Sequence, residues 1–122
     1  MAATVVVTET AEVLTTNADN TLIWTGPNGG DMSGVIYVDA TETTGGSFVN
    51  YRRFARRITR YTTFTPTILI GDIVLHADDG PAGGSTWAIE VQDDGSGHIE
   101  VNVIGAALVN ITWDIIVQYW LT

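Results

Sequence analysis

All the Lys and Arg residues of the chain lie within one short segment, and all of them are Arg. The five are Arg52, Arg53, Arg56, Arg57 and Arg60, while fourteen Asp and Glu residues are spread over the chain and give a formal net charge of −9. Each guanidinium is a planar, permanently charged donor that suits carboxylates and phosphates held in a fixed geometry. The chemistry that this segment indicates is therefore recognition of an anionic partner.

The charge balance narrows the choice of that partner. A strongly acidic chain repels a phosphate backbone at long range, so we predict that no nucleic acid is bound. Carboxylates on another protein, or on a neighbouring copy of this chain, fit the arginines better. The alternative is a solvated arginine surface without a partner, since most exposed ion pairs contribute little.

Two groups of carboxylates near a histidine are the candidates for catalysis or metal binding. They are Asp78 and Asp79 near His76, and Asp93 and Asp94 near His98. Because these carboxylates lie in Gly-rich stretches, we interpret them as turn residues, with a loose calcium site at Asp93 and Asp94 left open. The sequence has no Cys and no motif of a catalytic nucleophile. It also lacks a phosphate-binding loop and residues at the spacing typical of zinc ligands. We predict that the chain is not an enzyme and has no metal or cofactor.

The four tryptophans raise glycan binding as a second function, because an exposed indole stacks on sugar rings. Trp87 and Trp113 lie on predicted core faces, which leaves Trp24 and Trp120 as the glycan-binding candidates. Either indole would serve equally well in a subunit interface.

The elements that position these residues are predicted to be strands. Thr, Val, Ile and aromatic residues are abundant and thirteen Gly residues interrupt them, a composition typical of strands and tight turns. The predicted strands are 5–8, 21–24, 34–40, 47–59, 67–76, 86–92, 98–104 and 109–121. The fold class is all-β, an antiparallel β-sandwich that is jelly-roll-like.

The length of 122 residues suits a single domain, which we place at 17–122. Residues 1–16 are either an extended N-terminal arm, which would add a strand to a neighbouring sheet, or the first strand of the sandwich. The N-terminus lacks a basic stretch followed by a long apolar run, and no apolar stretch is long enough to span a membrane. We therefore expect neither export by a conventional signal nor a membrane partner.

The last third of the chain has the clearest alternation. Segments 87–92 and 98–103 alternate apolar and polar residues, which predicts a hairpin with one buried face. The terminal strand has one apolar side formed by Ile111, Trp113, Ile115, Val117, Tyr119 and Leu121. Ile116 and Trp120 lie on its other side, and a strand that is apolar on both faces should be covered on both. The second cover would have to come from a loop, the N-terminal segment or another subunit, so this strand favours oligomerisation.

The arginine segment also fits a helix, because Tyr51, Phe54, Ala55 and Ile58 are spaced at i, i+3, i+4 and i+7. The β-branched residues that follow and the absence of a C-capping glycine favour a strand.

The segments 87–91, 99–107 and 109–113, with Asn110 close to Trp113, resemble β-sandwich modules in virion proteins of tailed bacteriophages. In such modules a short hairpin ends in a Gly-Ala turn and leads to a closing strand with an Asn and a Trp. The resemblance covers residues 34–121 and implies a capsid decoration (cement) protein, a head fibre or a tail-fibre module, commonly trimeric.

Because the chain is short and has no coiled coil or repeat beside it, decoration is the favoured role. The resemblance then implies a homotrimer on the capsid surface that binds the major capsid protein, after synthesis in the host cytoplasm. The five arginines and Trp120 are the candidates for a subunit or capsid interface. The alternative is a tail- or head-fibre module that binds host-surface glycans.

Overall fold

A computed structural model describes residues 5–26, 32–42, 51–62, 68–74, 86–93 and 98–121. Eight strands and no helix occur in these residues. The strands are β1 Val5–Thr15, β2 Asn20–Thr25, β3 Met32–Glu42, β4 Tyr51–Thr62, β5 Ile68–Val74, β6 Ala88–Asp93, β7 Ile99–Ile104 and β8 Ile111–Leu121.

The strands form two antiparallel sheets with a shared core. One sheet has the order β1-β8-β3-β4-β5 and the other β2-β7-β6. The predicted all-β sandwich is confirmed. The neighbours β1·β8, β8·β3 and β2·β7 join strands that are distant in sequence, as in a jelly roll. In contrast, β3, β4 and β5 follow one another as a meander, which makes the first sheet wider than the second.

The first strand is an integral part of the sandwich. β1 pairs with β8 along its whole length, from Val5 opposite Leu121 to Thr15 opposite Ile111. Over residues 5–15 the chain therefore has the first strand rather than an extended arm. The strand is longer than predicted because Val7, Ala11 and Val13 all pack against the core.

The arginine segment is a strand, and the helix alternative is wrong. β4 is paired on both sides, with β3 and with β5. The ladders on both edges satisfy the backbone donors and acceptors that a helix would have satisfied internally. The helix-like spacing arises because Phe54 and Ile58 face the core while Ala55 is covered on the opposite face.

Trp113 lies at the centre of the core. Its ring is stacked 6.1 Å from Phe54 and tilted 6.3 Å from Trp87, measured between ring centroids. The predicted alternation of β8 is confirmed for its described side chains. The buried members are Ile111, Trp113, Ile115, Val117 and Tyr119, and the exposed ones include Ile116 and Trp120.

One glycine sets the spacing between β3 and β8. Gly34 pairs with Tyr119, and a Cβ added at Gly34 would meet the Gln118 carbonyl oxygen and lie 2.6 Å from the Tyr119 Cβ. The absence of a side chain lets Tyr119 lie over β3 at this point. Tyr119 in turn contacts the ring of Trp24 across the core, with centroids 5.9 Å apart.

Candidate functional site

The register of β4 divides the arginines between two faces of the sheet. Residues opposite each other in an antiparallel ladder share a face. Arg52 and Arg56 pair with the buried Ala40 and Ile36, so they lie on the inner face. A single interface made of all five arginines therefore does not fit a strand, because the side chains of a strand alternate between its two faces.

The outer face of this sheet, which is the face turned away from the core, carries the other two described arginine side chains. Arg53 pairs with Asp39 and Arg57 pairs with Val35, and both arginines are exposed. The fifth, Arg60, pairs with Met32 in the β3–β4 ladder, and its side chain lies outside the described part of the structure.

The two inner arginines flank an aromatic ring. The guanidinium carbons of Arg52 and Arg56 lie 5.4 Å and 5.6 Å from the centroid of Phe54. Arg56 is only 8% exposed, and its Nη1 donates a 3.0 Å hydrogen bond to the Ala55 carbonyl oxygen. These two cations therefore act inside the domain, where their contact with the ring replaces part of their hydration.

On the outer face, Arg53 forms a bidentate ion pair with Asp39. The Nε donates to Oδ1 over 2.7 Å and the Nη2 donates to Oδ2 over 3.2 Å. Both side chains are about half exposed, so the pair orients the guanidinium more than it stabilises the fold. Arg57, four residues further along β4, is exposed and makes no ion pair within the described residues.

A pair of carboxyl groups lies on the opposite side of the same face. Glu12 of β1 is directly opposite Asp114 of β8. Protonated Glu12 donates a hydrogen bond to the Asp114 carboxylate, and this bond, together with the negative charge of Asp114, raises the pKa of Glu12 above its usual value. Two adjacent acidic groups without a cation between them form a site that a basic group from outside would stabilise.

Most of the exposed apolar residues lie on the same face of the sheet as these charges. The described residues include eight exposed large hydrophobic side chains, and six of them lie on the outer face of the five-stranded sheet. The six are Val6, Leu14, Tyr37, Tyr51, Ile116 and Trp120. Trp120 is 38% exposed and Ile116 is 43% exposed, so no described residue covers the second apolar side of β8.

Trp24, one of the two glycan-binding candidates, is in the core and only 6% exposed. A register shift between Leu22 and Trp24 in the β2–β7 ladder buries Ile23 and Trp24 together. Since a buried ring has no free face for a sugar, this candidate is excluded, and Trp120 is the one that remains exposed.

The Trp24 indole Nε1 lies 3.5 Å from a carboxylate oxygen of Glu9, a residue that sequence reasoning did not select. Tyr119 donates a 2.7 Å hydrogen bond to the other oxygen of Glu9. A Glu in an alternating Thr-Glu-Thr segment is typical of an exposed edge strand, so only the β1–β8 pairing could have identified this contact.

The candidate acidic groups contribute no metal site in the part of the chain that is described. No group of three or more His, Asp or Glu residues that could hold a metal ion occurs there. His76, Asp78, Asp79 and Asp94 lie outside the described residues, as does the side chain of Asp93. Within the described ranges, no helix is long and apolar enough to cross a membrane.

No protein-family model matches the chain, and neither does any curated protein sequence. Among solved structures, the tailspike protein of Acinetobacter baumannii phage AM24 matches 96% of this chain with a TM-score of 0.54 and 4% sequence identity. The fold is that of one part of this tailspike. The tailspike protein of a second Acinetobacter phage matches 90% of the chain with a TM-score of 0.43 and 13% identity. The chain covers 26% and 20% of the length of these two proteins.

Proposed function

We propose that this chain is a structural β-sandwich module of a bacteriophage tail spike or tail fibre. The observation that carries the proposal is the match of 96% of the chain to part of the phage AM24 tailspike protein. Because almost the whole sandwich is matched, the likeness concerns the complete arrangement of strands rather than one hairpin.

The same match favours the tail over the capsid surface. The expectation of a capsid decoration protein rested on the small size of the chain. A domain of this size, however, also occurs as about a quarter of the tailspike chain, 26% of its length. Shortness therefore does not separate the two roles, and the structural likeness supports the tail-associated alternative.

The part of that alternative concerning glycans has less support. It depended on Trp24 and Trp120, and Trp24 is inaccessible. Trp120 is flanked in register by Val6 and Ser33, which offer one hydroxyl for the hydrogen bonds that sugar recognition requires. We therefore propose an architectural role for the module and leave host glycans outside the proposal.

Quantitative mass spectrometry of purified virions that contain this chain, combined with immunogold labelling, tests the proposed location. We expect a copy number far below that of the major capsid protein and label at the tail. A copy number comparable to that of the capsid protein, with label over the head, would restore the decoration role and overturn the proposal.

A further inference from the structure

The outer face of the five-stranded sheet is a continuous surface whose side chains are arranged in rows across four strands. Read from β1 through β8 and β3 to β4, the rows are Val6, Trp120, Ser33 and Thr59; Thr8, Gln118, Val35 and Arg57; Thr10, Ile116, Tyr37 and Ala55; Glu12, Asp114, Asp39 and Arg53; Leu14, Thr112, Thr41 and Tyr51. These side chains make up the outer face.

The outer face has an acidic half and a basic half. Glu12 and Asp114 lie on β1 and β8, whereas Arg53 and Arg57 lie on β4, and Asp39 on β3 already binds Arg53. The raised pKa of Glu12 reflects two neighbouring carboxyl groups with no cation between them. The acidic half of one copy is thus complementary in charge to the basic half of another.

The centre of the outer face is apolar and uneven. Ile116 and Tyr37 are neighbours in register and both are exposed. Beside them lie a depression of about 420 Å³, lined by residues that include Thr10, Glu12 and Asp114, and a smaller one of about 130 Å³ between Val35 and Gln118. Such depressions accept side chains from an opposing surface.

The dimensions of the outer face suit an interface between folded chains. Four strands spaced about 4.8 Å apart, each with about ten residues rising about 3.4 Å per residue, span roughly 650 Å². A standard protein interface buries about 800 Å² per partner, and projecting side chains add to the flat area of the sheet. An apolar centre bordered by charged residues is also the usual composition of such an interface.

We propose that the outer face is buried against a second copy of this chain, with Glu12 and Asp114 of one copy opposite Arg53 and Arg57 of the next. Because both copies use the same face, a two-fold rotation closes this contact into a dimer. It covers Ile116 and Trp120, the second apolar side of β8. The inference concerns self-association alone and does not depend on where in a virion the chain is placed.

Charge exchange between the two halves tests the proposed pairing. The variant E12K/D114K makes the acidic half basic, and R53E/R57E makes the basic half acidic. Analytical ultracentrifugation and native mass spectrometry of the full 122-residue chain measure self-association of each variant and of their equimolar mixture. All four side chains are on an exposed sheet face, and circular dichroism checks that each variant is folded.

We expect each charge variant alone to self-associate at least about tenfold more weakly than the wild type, because like charges then face each other. The mixture should form hetero-oligomers with an affinity close to that of the wild type. A monomeric wild type at high micromolar concentration would overturn the proposal, as would variants that dissociate alone but fail to associate when mixed.

An apolar substitution supplies a matched control. Ile116→Ser removes the centre of the proposed interface, whereas Leu22→Ser removes a comparably exposed side chain on the other sheet. We expect dissociation of the first variant and unchanged assembly of the second. Equal behaviour of the two would assign the outer face to a different occupant, such as a glycan or another virion protein, and would contradict self-association through it.

Discussion

The phenol of Tyr119 donates a 2.7 Å hydrogen bond to the carboxylate of Glu9, and the Trp24 indole approaches the same carboxylate from the other sheet. One acidic side chain therefore connects β1, β8 and β2. Tyr119 is only 4% exposed, so its hydroxyl has exchanged contact with water for contact with Glu9. This contact ties the edge strand β1 to the core.

Tyr119→Phe should reveal this contact as a stability difference that depends on pH. Burial, followed by the hydrogen bond and charge of Glu9, raises the pKa of Tyr119 from 10.0 to about 12. A phenol whose pKa is higher in the folded state stabilises the fold below pH 10 and loses that contribution as the pH rises towards 12. At neutral pH we expect the variant to be less stable by about 1–3 kcal/mol, because Glu9 loses a donor.

Urea unfolding measured from neutral pH to pH 12 checks this, and the two curves should converge as Tyr119 ionises in the wild type. Tyr37→Phe, which removes an exposed hydroxyl, is the matched control and should follow the wild type throughout. A difference that stays constant across the alkaline range would show that the Tyr119 hydroxyl does not interact with Glu9.

Thr15→Val should destabilise the domain through Trp113. The Trp113 Nε1 donates a 2.8 Å hydrogen bond to the Thr15 hydroxyl, and both side chains are buried. Valine keeps the shape but leaves the indole N–H without an acceptor, at a cost of about 1–3 kcal/mol. The free energy of unfolding in urea measures this loss.

Thr15→Ser keeps the acceptor and should recover most of the stability, while Thr16→Val changes an exposed neighbour and should have little effect. If Thr15→Val and Thr16→Val were equally stable, the hydrogen bond would have no net role in the fold.

The parts of the fold that follow from local alternation could be predicted from the sequence. The apolar side of β8 and the hairpin of β6 and β7 are read from a period of two residues. The division of the arginines between two faces could also be predicted once the segment was assigned as a strand. Arg52 and Arg56 are two residues before and after Phe54, so they share its face. The burial of Trp24 could not be predicted from the sequence, since a single shift of register reverses which side chains face the core.

The contacts of Glu9 and the charge halves of the outer face depend on the pairing of β1 with β8, strands at opposite ends of the chain. No local pattern specifies which strands become neighbours across so long a separation. The sequence identified the arginines as functional candidates by their number, whereas the ladder decides which of them reach solvent.

Arg56→Ser and Arg57→Ser should differ although the two residues are adjacent. Arg56 is buried on the inner face and contacts the Phe54 ring, so its loss should lower the free energy of unfolding by about 1–3 kcal/mol. Arg57 is exposed, and its loss should change stability by less than about 0.5 kcal/mol. Thermal unfolding of both variants measures the contrast. Equal effects would contradict the alternation of the two side chains.

Leu108→Gly should stabilise the turn between β7 and β8. Leu108 has a φ of 62° and is 95% exposed, so its side chain packs against almost nothing while its backbone adopts the left-handed region. The turn is closed by a 3.4 Å hydrogen bond from the Val109 N–H to the Ala106 carbonyl oxygen, which makes Leu108 its third residue. Glycine is preferred at that position when φ is positive.

The left-handed conformation costs a residue with a side chain about 1–2 kcal/mol, and the greater flexibility of unfolded glycine offsets part of the gain. We therefore expect a net increase of about 0.5–1 kcal/mol in the free energy of unfolding. Ala107→Gly is the matched control, because Ala107 does not have a positive φ and should lose stability on the same change. A destabilised Leu108→Gly variant would mean that the Leu108 side chain makes a stabilising contact that outweighs the strain of its backbone.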